Sequence, residues 1–142
     1  MTWIVDASVA VKWMVPEPLH DQARLLLADT DLLEAPDLLF PETANTIWKK
    51  IRRGEMTARQ GELALTAIRH FIAVSHPSAG LADRALAMAC ALDHPAYDCF
   101  YLACAERQGG VLVTADRRLC AAVANSAFAA LVHPLDRPDA PP

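Results

Sequence analysis

The strongest constraint on this chain is a pair of short runs that are apolar throughout rather than at alternate positions: Trp3-Ile4-Val5 and Val111-Leu112-Val113 with Thr114. Such runs are too brief for helices and suit strands buried on both faces, as in a parallel sheet covered by helices. The first stops at Asp6, and the second follows Gly109-Gly110. Three further segments read as strands: Leu32 to Ala35 before Pro36, Phe71 to Ser75 before Pro77, and Ala130 to His133. Between them lie helical patterns. Ala7 to Val15 is stopped by Pro16 and Pro18, and His20 to Ala28 places Ala23, Leu26 and Leu27 on one face. Leu38 to Arg53 tolerates Pro41 near its first turn and ends at Gly54, and Thr57 is a natural N-cap for a helix to Phe71. Leu81, Ala85, Met88, Ala89 and Leu92 keep helical spacing. A helix after Pro95 runs to about Gln108, and another spans Asp116 to Ala124.

This alternation predicts a three-layer α/β domain around a parallel sheet of about five strands. With 142 residues, 54% of them hydrophobic, the chain suffices for one such domain, expected over residues 1–133. The tail from Pro134 holds four of the ten prolines and is expected to be poorly ordered. A net charge of -4 excludes a generally basic nucleic-acid coat but leaves room for local patches. None of the four cysteines forms a C-x-x-C pair, so they read as core thiols of a reducing compartment. Cys90 and His94 share an i, i+4 spacing, but two ligands do not complete a zinc site and ordinary packing is the expectation. The first residues lack a basic region, and Asp6 interrupts their apolar run. No stretch approaches the roughly 20 apolar residues of a membrane span. A soluble cytoplasmic protein is therefore expected.

Ligands of open parallel sheets bind beyond the carboxyl ends of the strands. Asp6 and Asp116 fall there, although either would also serve as an ordinary helix cap. Glu42 follows Pro41 in a first helical turn, and Asp98 lies early in the helix after Pro95; the helix dipole alone favours acids at both places. Their neighbours, Leu38-Leu39-Phe40 and Cys99-Phe100-Tyr101-Leu102, are not those of a solvated face. A carboxylate in such surroundings is costly unless paired or bound to a cation. Ser8 and Thr114 carry hydroxyls able to orient a carboxylate, or else simply cap a helix and complete a strand. Asn45 stands one turn after Glu42, where it either orients that residue or a phosphate, or makes a buried amide hydrogen bond. Lys49, Lys50, Arg52, Arg53 and Arg59 form a basic run at a helix C-terminus, where the dipole favours cations. Arg117 and Arg118 directly follow Asp116; phosphate contacts typically come from such basic groups, the Lys49 to Arg53 run included, and Arg118 is the stronger candidate for one. Trp13, Trp48, Met14 and Met56 read as core residues first and as a partner groove second.

Four motifs, in order and suitably spaced, resemble those of PIN-domain ribonucleases of the VapC toxin type. They are Ile4-Val5-Asp6-Ala7-Ser8 followed by Lys12-Trp13, Pro41-Glu42-x-x-Asn45, Tyr97-Asp98-x-x-Tyr101-Leu102-Ala103, and Val113-Thr114-Ala115-Asp116 followed by Arg118-Leu119. The likeness covers roughly residues 1 to 133 and implies strand order 3-2-1-4-5. It implies a Mg²⁺-dependent endoribonuclease, with Mn²⁺ able to substitute, acting through Asp6, Glu42, Asp98 and Asp116. Asp6 and Asp98 would be direct metal ligands, and Glu42 and Asp116 would hold a second ion or act through water. A VapB-like antitoxin and a homodimer are the implied partners, with RNA as the substrate.

Other readings lack their signatures. No G-x-G-x-x-G or P-loop follows the first strand. Haloacid-dehalogenase-like enzymes want a second aspartate where Ser8 stands, and receiver domains want a lysine near Ala130 to Pro134. The remaining alternatives are a catalytically silent protein-binding module on the same fold and a structure-specific DNA nuclease.

Overall fold

Five parallel strands are laid side by side in the order β3-β2-β1-β4-β5. They are β1 (Trp3–Val5), β2 (Leu33–Pro36), β3 (Val74–His76), β4 (Val111–Thr114) and β5 (Val132–Pro134). The computed structural model describes residues 2–28 and 32–137. Helices cover both faces: α1 (Ala7–Ala10), α2 (His20–Ala28), α3 (Leu39–Arg52), α4 (Ala58–Phe71), α5 (Ala82–Leu92), α6 (Ala96–Gln108) and α7 (Arg117–Val123). The all-apolar runs are the two central strands. Trp3, Ile4 and Val5 pair with Val111, Leu112 and Val113, and Ile4, Val5, Leu112 and Val113 are fully buried.

Local chemistry explains where the elements end. Gly109 closes α6 with a left-handed φ of 62°. At Gly110 a Cβ would come within 2.5 Å of the Thr2 carbonyl oxygen, the acceptor for the Val111 N–H. Only glycine lets β4 start flush against β1. Thr57 and Gln60 form a reciprocal capping box at the start of α4.

The structure departs from the sequence reading in several places. The helix expected over 7–15 is α1 followed by a 3₁₀ turn at Val11–Trp13. Phe71 stays in α4, so β3 starts at Val74, and a 3₁₀ turn at Ala129–Leu131 delays β5 to Val132. Order continues past Pro134: Leu135 is fully buried, and its N–H donates to the Thr114 carbonyl at 2.8 Å. The expectation of a loose tail fails for this stretch because an apolar side chain and a backbone donor both find partners. Residues 138–142 lie outside the described part. Cys99 and Cys104 are core residues, but Cys90 is exposed on α5, contrary to the core reading. Among the described residues, no helix is long and apolar enough to cross a membrane.

Candidate active site

The switch point of this sheet lies between β1 and β4, the one place where the chain order reverses direction. Asp6 leaves the carboxyl end of β1 and Asp116 that of β4. Helix α3 follows β2 and α6 runs back toward the start of β4, so both helices put their N-termini at this same edge. Each carries an acid in its first turn, Glu42 in α3 and Asp98 in α6.

Asp6 is the centre of the arrangement. It is only 7% exposed. Ser8 Oγ donates to its Oδ1 at 2.6 Å and the Val9 N–H to the same oxygen at 3.1 Å, while the Thr114 hydroxyl donates to Oδ2. Ser8 Oγ in turn accepts the Ala115 N–H at 3.0 Å, and Thr114 Oγ1 the Asp116 N–H at 3.0 Å. The two hydroxyls thus tie the ends of β1 and β4 together through one carboxylate. Asp6 is a helix cap as well as the hub of this network.

These donors are all neutral. Burial pushes the Asp6 carboxyl up to about 6, against the pull of the hydrogen bonds from Ser8, Thr114 and Val9, and the Asp98 charge adds to the rise. Glu42 is pushed up to about 7, first by burial, then by the charges of Asp6 and Asp98, although the Tyr101 hydroxyl donates to its Oε2 at 3.3 Å. Burial and the surrounding acids also raise the Tyr101 hydroxyl, keeping it a donor. Asp98 Oδ2 lies 2.6 Å from His94 Nε2. Asp116 caps α7, its Oδ1 accepting the N–H groups of Arg118 at 2.9 Å and Leu119 at 3.2 Å.

Among the described residues, no three Asp, Glu, His or Cys side chains converge tightly enough to hold a metal ion as they stand. The donor set nevertheless fits a hard divalent cation. It consists of carboxylate oxygens, and two of its acids, the buried Asp6 and the partly buried Glu42, lack a positive neighbour that would hold them ionised.

Residues 3–125 match the PIN domain family. Ribonuclease VapC3 of Pyrobaculum aerophilum is 34% identical over 136 residues, spanning 94% of this chain and 100% of that protein. The chain belongs to the VapC family of PIN-domain ribonucleases. Its fold is similar to the crystal structure of PAE2754 from Pyrobaculum aerophilum, with a TM-score of 0.70 and 25% identity over 95% of this chain and 84% of that one. It also resembles Mycobacterium tuberculosis VapC20, described as a sarcin-ricin loop cleaving toxin. There the TM-score is 0.66 with 22% identity, covering 85% of this chain and 95% of that one.

Several candidates of this PIN domain sit apart from the acidic edge or play other parts. Asn45 is exposed and makes no side-chain hydrogen bond among the described residues, so neither an orienting bond to Glu42 nor a buried amide is seen. Arg117 and Arg118 are exposed, and Arg117 reaches Asp136 only at 3.9 Å. Trp13 is core, its indole N–H donating to the Ala23 carbonyl at 2.9 Å. Trp48 is 51% exposed and lies under the Arg52 guanidinium, 5.4 Å from its ring centre. Met14 and Met56 line an open groove with Val15, Pro16 and Leu63.

Three features escaped the sequence reading. His94 pairs with Asp98 rather than with Cys90; α5 stops at Leu92 and Asp93 turns left-handed, so Cys90 and His94 do not share a helix. The four-residue step from His94 to Asp98 is the signal that was available. Glu34 is buried in β2 and meets His76 of β3 at 2.5 Å, a pairing 42 residues apart that no local pattern announces. Lys12 and Lys50 converge on Glu17, again from separate elements.

Proposed function

We propose that this chain is a Mg²⁺-dependent endoribonuclease, the toxin of a toxin–antitoxin pair, held in check by a VapB-like antitoxin and acting as a homodimer. Membership of the VapC ribonucleases supports RNA as substrate and an antitoxin as partner. The observation that carries the metal-dependent mechanism is Asp6: a buried carboxylate held by three neutral donors, facing further acids and lacking a cation of its own.

Asp6 and Asp98, with Glu42 and Asp116 beside them, would hold Mg²⁺ or Mn²⁺. A bound ion of this type supplies charge neutralisation at phosphorus and lowers the pKa of a water for attack. The protein's own part is positioning. Ser8 and Thr114 fix both oxygens of Asp6, Tyr101 orients Glu42, and His94 orients Asp98. The α7 cap places Asp116 beside the end of β4. Arg118 and Arg117 are exposed in the first turn of α7, directly after Asp116, and their guanidinium groups would suit phosphate oxygens.

The test is cleavage of a mixed tRNA and rRNA pool by the purified protein freed of any partner, in Mg²⁺, Mn²⁺ or EDTA. Discrete cuts that need the ion and vanish in Asp6→Asn are expected. Full cutting in EDTA overturns the metal mechanism. Metal binding without any cutting of RNA points to a silent module, and cutting confined to DNA points to the other nuclease class.

A further inference from the structure

Beside the acidic edge lies an open cavity of about 330 Å³ between the α1 region and α3. Its lining includes Ser8 and Ala115, which belong to the Asp6 network, and the side chains of Lys12, Glu17, Thr46 and Lys50. Lys12 comes from the 3₁₀ turn after α1 and Lys50 from the last turn of α3. Neither is an ordinary surface lysine: their side chains are 14% and 13% exposed. Lys49, Arg52 and Arg53 of the same basic run stay in solvent. Both ammonium groups face one carboxylate, with Glu17 Oε1 3.3 Å from Lys12 Nζ and Glu17 Oε2 2.9 Å from Lys50 Nζ. Glu17 is carried on a stiff loop between Pro16 and Pro18 and is held below the usual carboxylate range, mainly by Lys50 and Lys12 against the effect of its own burial.

Two fixed cations bracketing a single anion form a receptor of defined size. The cavity lining carries two positive charges against the one charge of Glu17; Glu55, 3.6 Å from Lys50, is half-exposed and outside the lining. A nucleic-acid strand crossing the acidic edge brings one phosphate after another past it, and carboxylates there repel each one. A cationic pocket sharing a wall with the Asp6 network is where the neighbouring phosphate meets attraction.

We infer that Lys12 and Lys50 form a backbone-phosphate subsite for the RNA strand beside the cleavage position, and that Glu17 fills this subsite in the free protein and is displaced by the incoming phosphate. The inference rests on the ribonuclease reading above. Thr46, whose hydroxyl is bound to the Glu42 carbonyl, forms part of the wall without adding charge. The displaced carboxylate makes the subsite self-protecting, since weakly held anions do not outcompete a tethered one.

The test measures binding of a fluorescein-labelled, mixed-sequence 12-nucleotide RNA across a series of KCl concentrations in Mg²⁺. The Asp6→Asn background keeps the strand intact. Glu17→Gln is expected to tighten binding about fivefold, the size of one freed ion pair. Lys12→Gln and Lys50→Gln are each expected to weaken it about tenfold and to lower the slope of log K against log salt by about 0.7. Lys12→Arg and Lys50→Arg keep the charge and are expected to restore the slope, which a merely structural role would not do. Unchanged or weaker binding by Glu17→Gln, or lysine variants with unaltered slope, overturns the subsite. Cleavage by the chain with native Asp6 separates the two readings. If it cuts RNA and the lysine variants cut with the same salt dependence, the subsite falls alone. If no form binds or cuts RNA, the ribonuclease reading falls first and takes the subsite with it.

Discussion

Two buried carboxylates, Asp6 just past the end of β1 and Glu34 within the neighbouring β2, are handled in opposite ways. Asp6, 7% exposed, receives three hydrogen bonds from neutral donors and faces other acids. Glu34, 8% exposed, meets the imidazole of His76 at 2.5 Å, and Gln108 reaches the other ring nitrogen at 3.4 Å. One polar group is closed upon itself inside the protein; the other is oriented with care and left without a counter-charge. Burying a carboxylate of the second kind costs stability that the fold does not recover internally. On the proposed reading, a cation from outside would supply the missing counter-charge.

That contrast can be broken most sharply by removing each charge in turn. Asp6→Asn is expected to lower RNA cleavage by at least about 10³-fold, the scale of several kcal/mol of lost charge stabilisation at phosphorus, while leaving the melting temperature of the metal-free protein equal or higher. Glu34→Gln should do the reverse, with cleavage intact and unfolding easier by about 1–3 kcal/mol, because His76 loses its charged partner. Thermal melts beside a single-turnover cleavage assay separate the two. Equal losses of activity would dissolve the distinction.

The next effect is on stability against pH. The folded-state values of Asp6 and Glu42, about 6 and about 7, lie above those of the unfolded chain. Between roughly pH 4 and pH 7 the native state therefore binds more protons than the unfolded state, and stability falls as pH rises through that window. Asp6 alone contributes a drop on the order of 3 kcal/mol. Glu17, whose value is lowered, acts in the opposite sense and loses its contribution only at more acid pH. Melting the metal-free protein from pH 4.5 to 7.5 should show the decline, and Mg²⁺ or Mn²⁺ should reverse it at the upper end. A flat profile unaffected by either ion would remove Asp6 and Glu42 from the metal site.

Smallest is the effect of the hydroxyls that aim Asp6. Ser8→Ala is expected to weaken Mn²⁺ affinity about 10- to 100-fold, measured by calorimetric titration, with a similar fall in cleavage at limiting ion. Retained affinity would make Ser8 a structural tie between β1 and β4 only.

The sequence made some of this plain and hid the rest for physical reasons. Strands β1 and β4 were legible because continuous apolar runs have few other uses, and helix positions followed from spacing and caps such as Thr57. The strand order came from family likeness, not from the runs themselves. Asp6 and Asp116 stood out by position at strand ends, and Glu42 and Asp98 by their apolar neighbours. Pairings across long separations were invisible: Glu34 with His76, and Glu17 with Lys50, 33 residues apart. Side-chain direction was invisible too. Asn45 and Trp48 lie in a well-predicted helix yet face solvent, because a motif fixes the position of a residue more firmly than the environment its side chain meets. Short end strands shifted by a few residues for a similar reason. β3 and β5 hold three residues each, and the helical turns beside them compete for the same chain.

The Leu135 contact sets a minimum length for the working molecule. Its amide holds the carbonyl of Thr114, the residue whose hydroxyl grips Asp6. A version trimmed at the last strand would keep every acid of the edge and lose the clamp behind one of them. Cutting the chain before Leu135 is therefore expected to disturb the acidic edge from a distance.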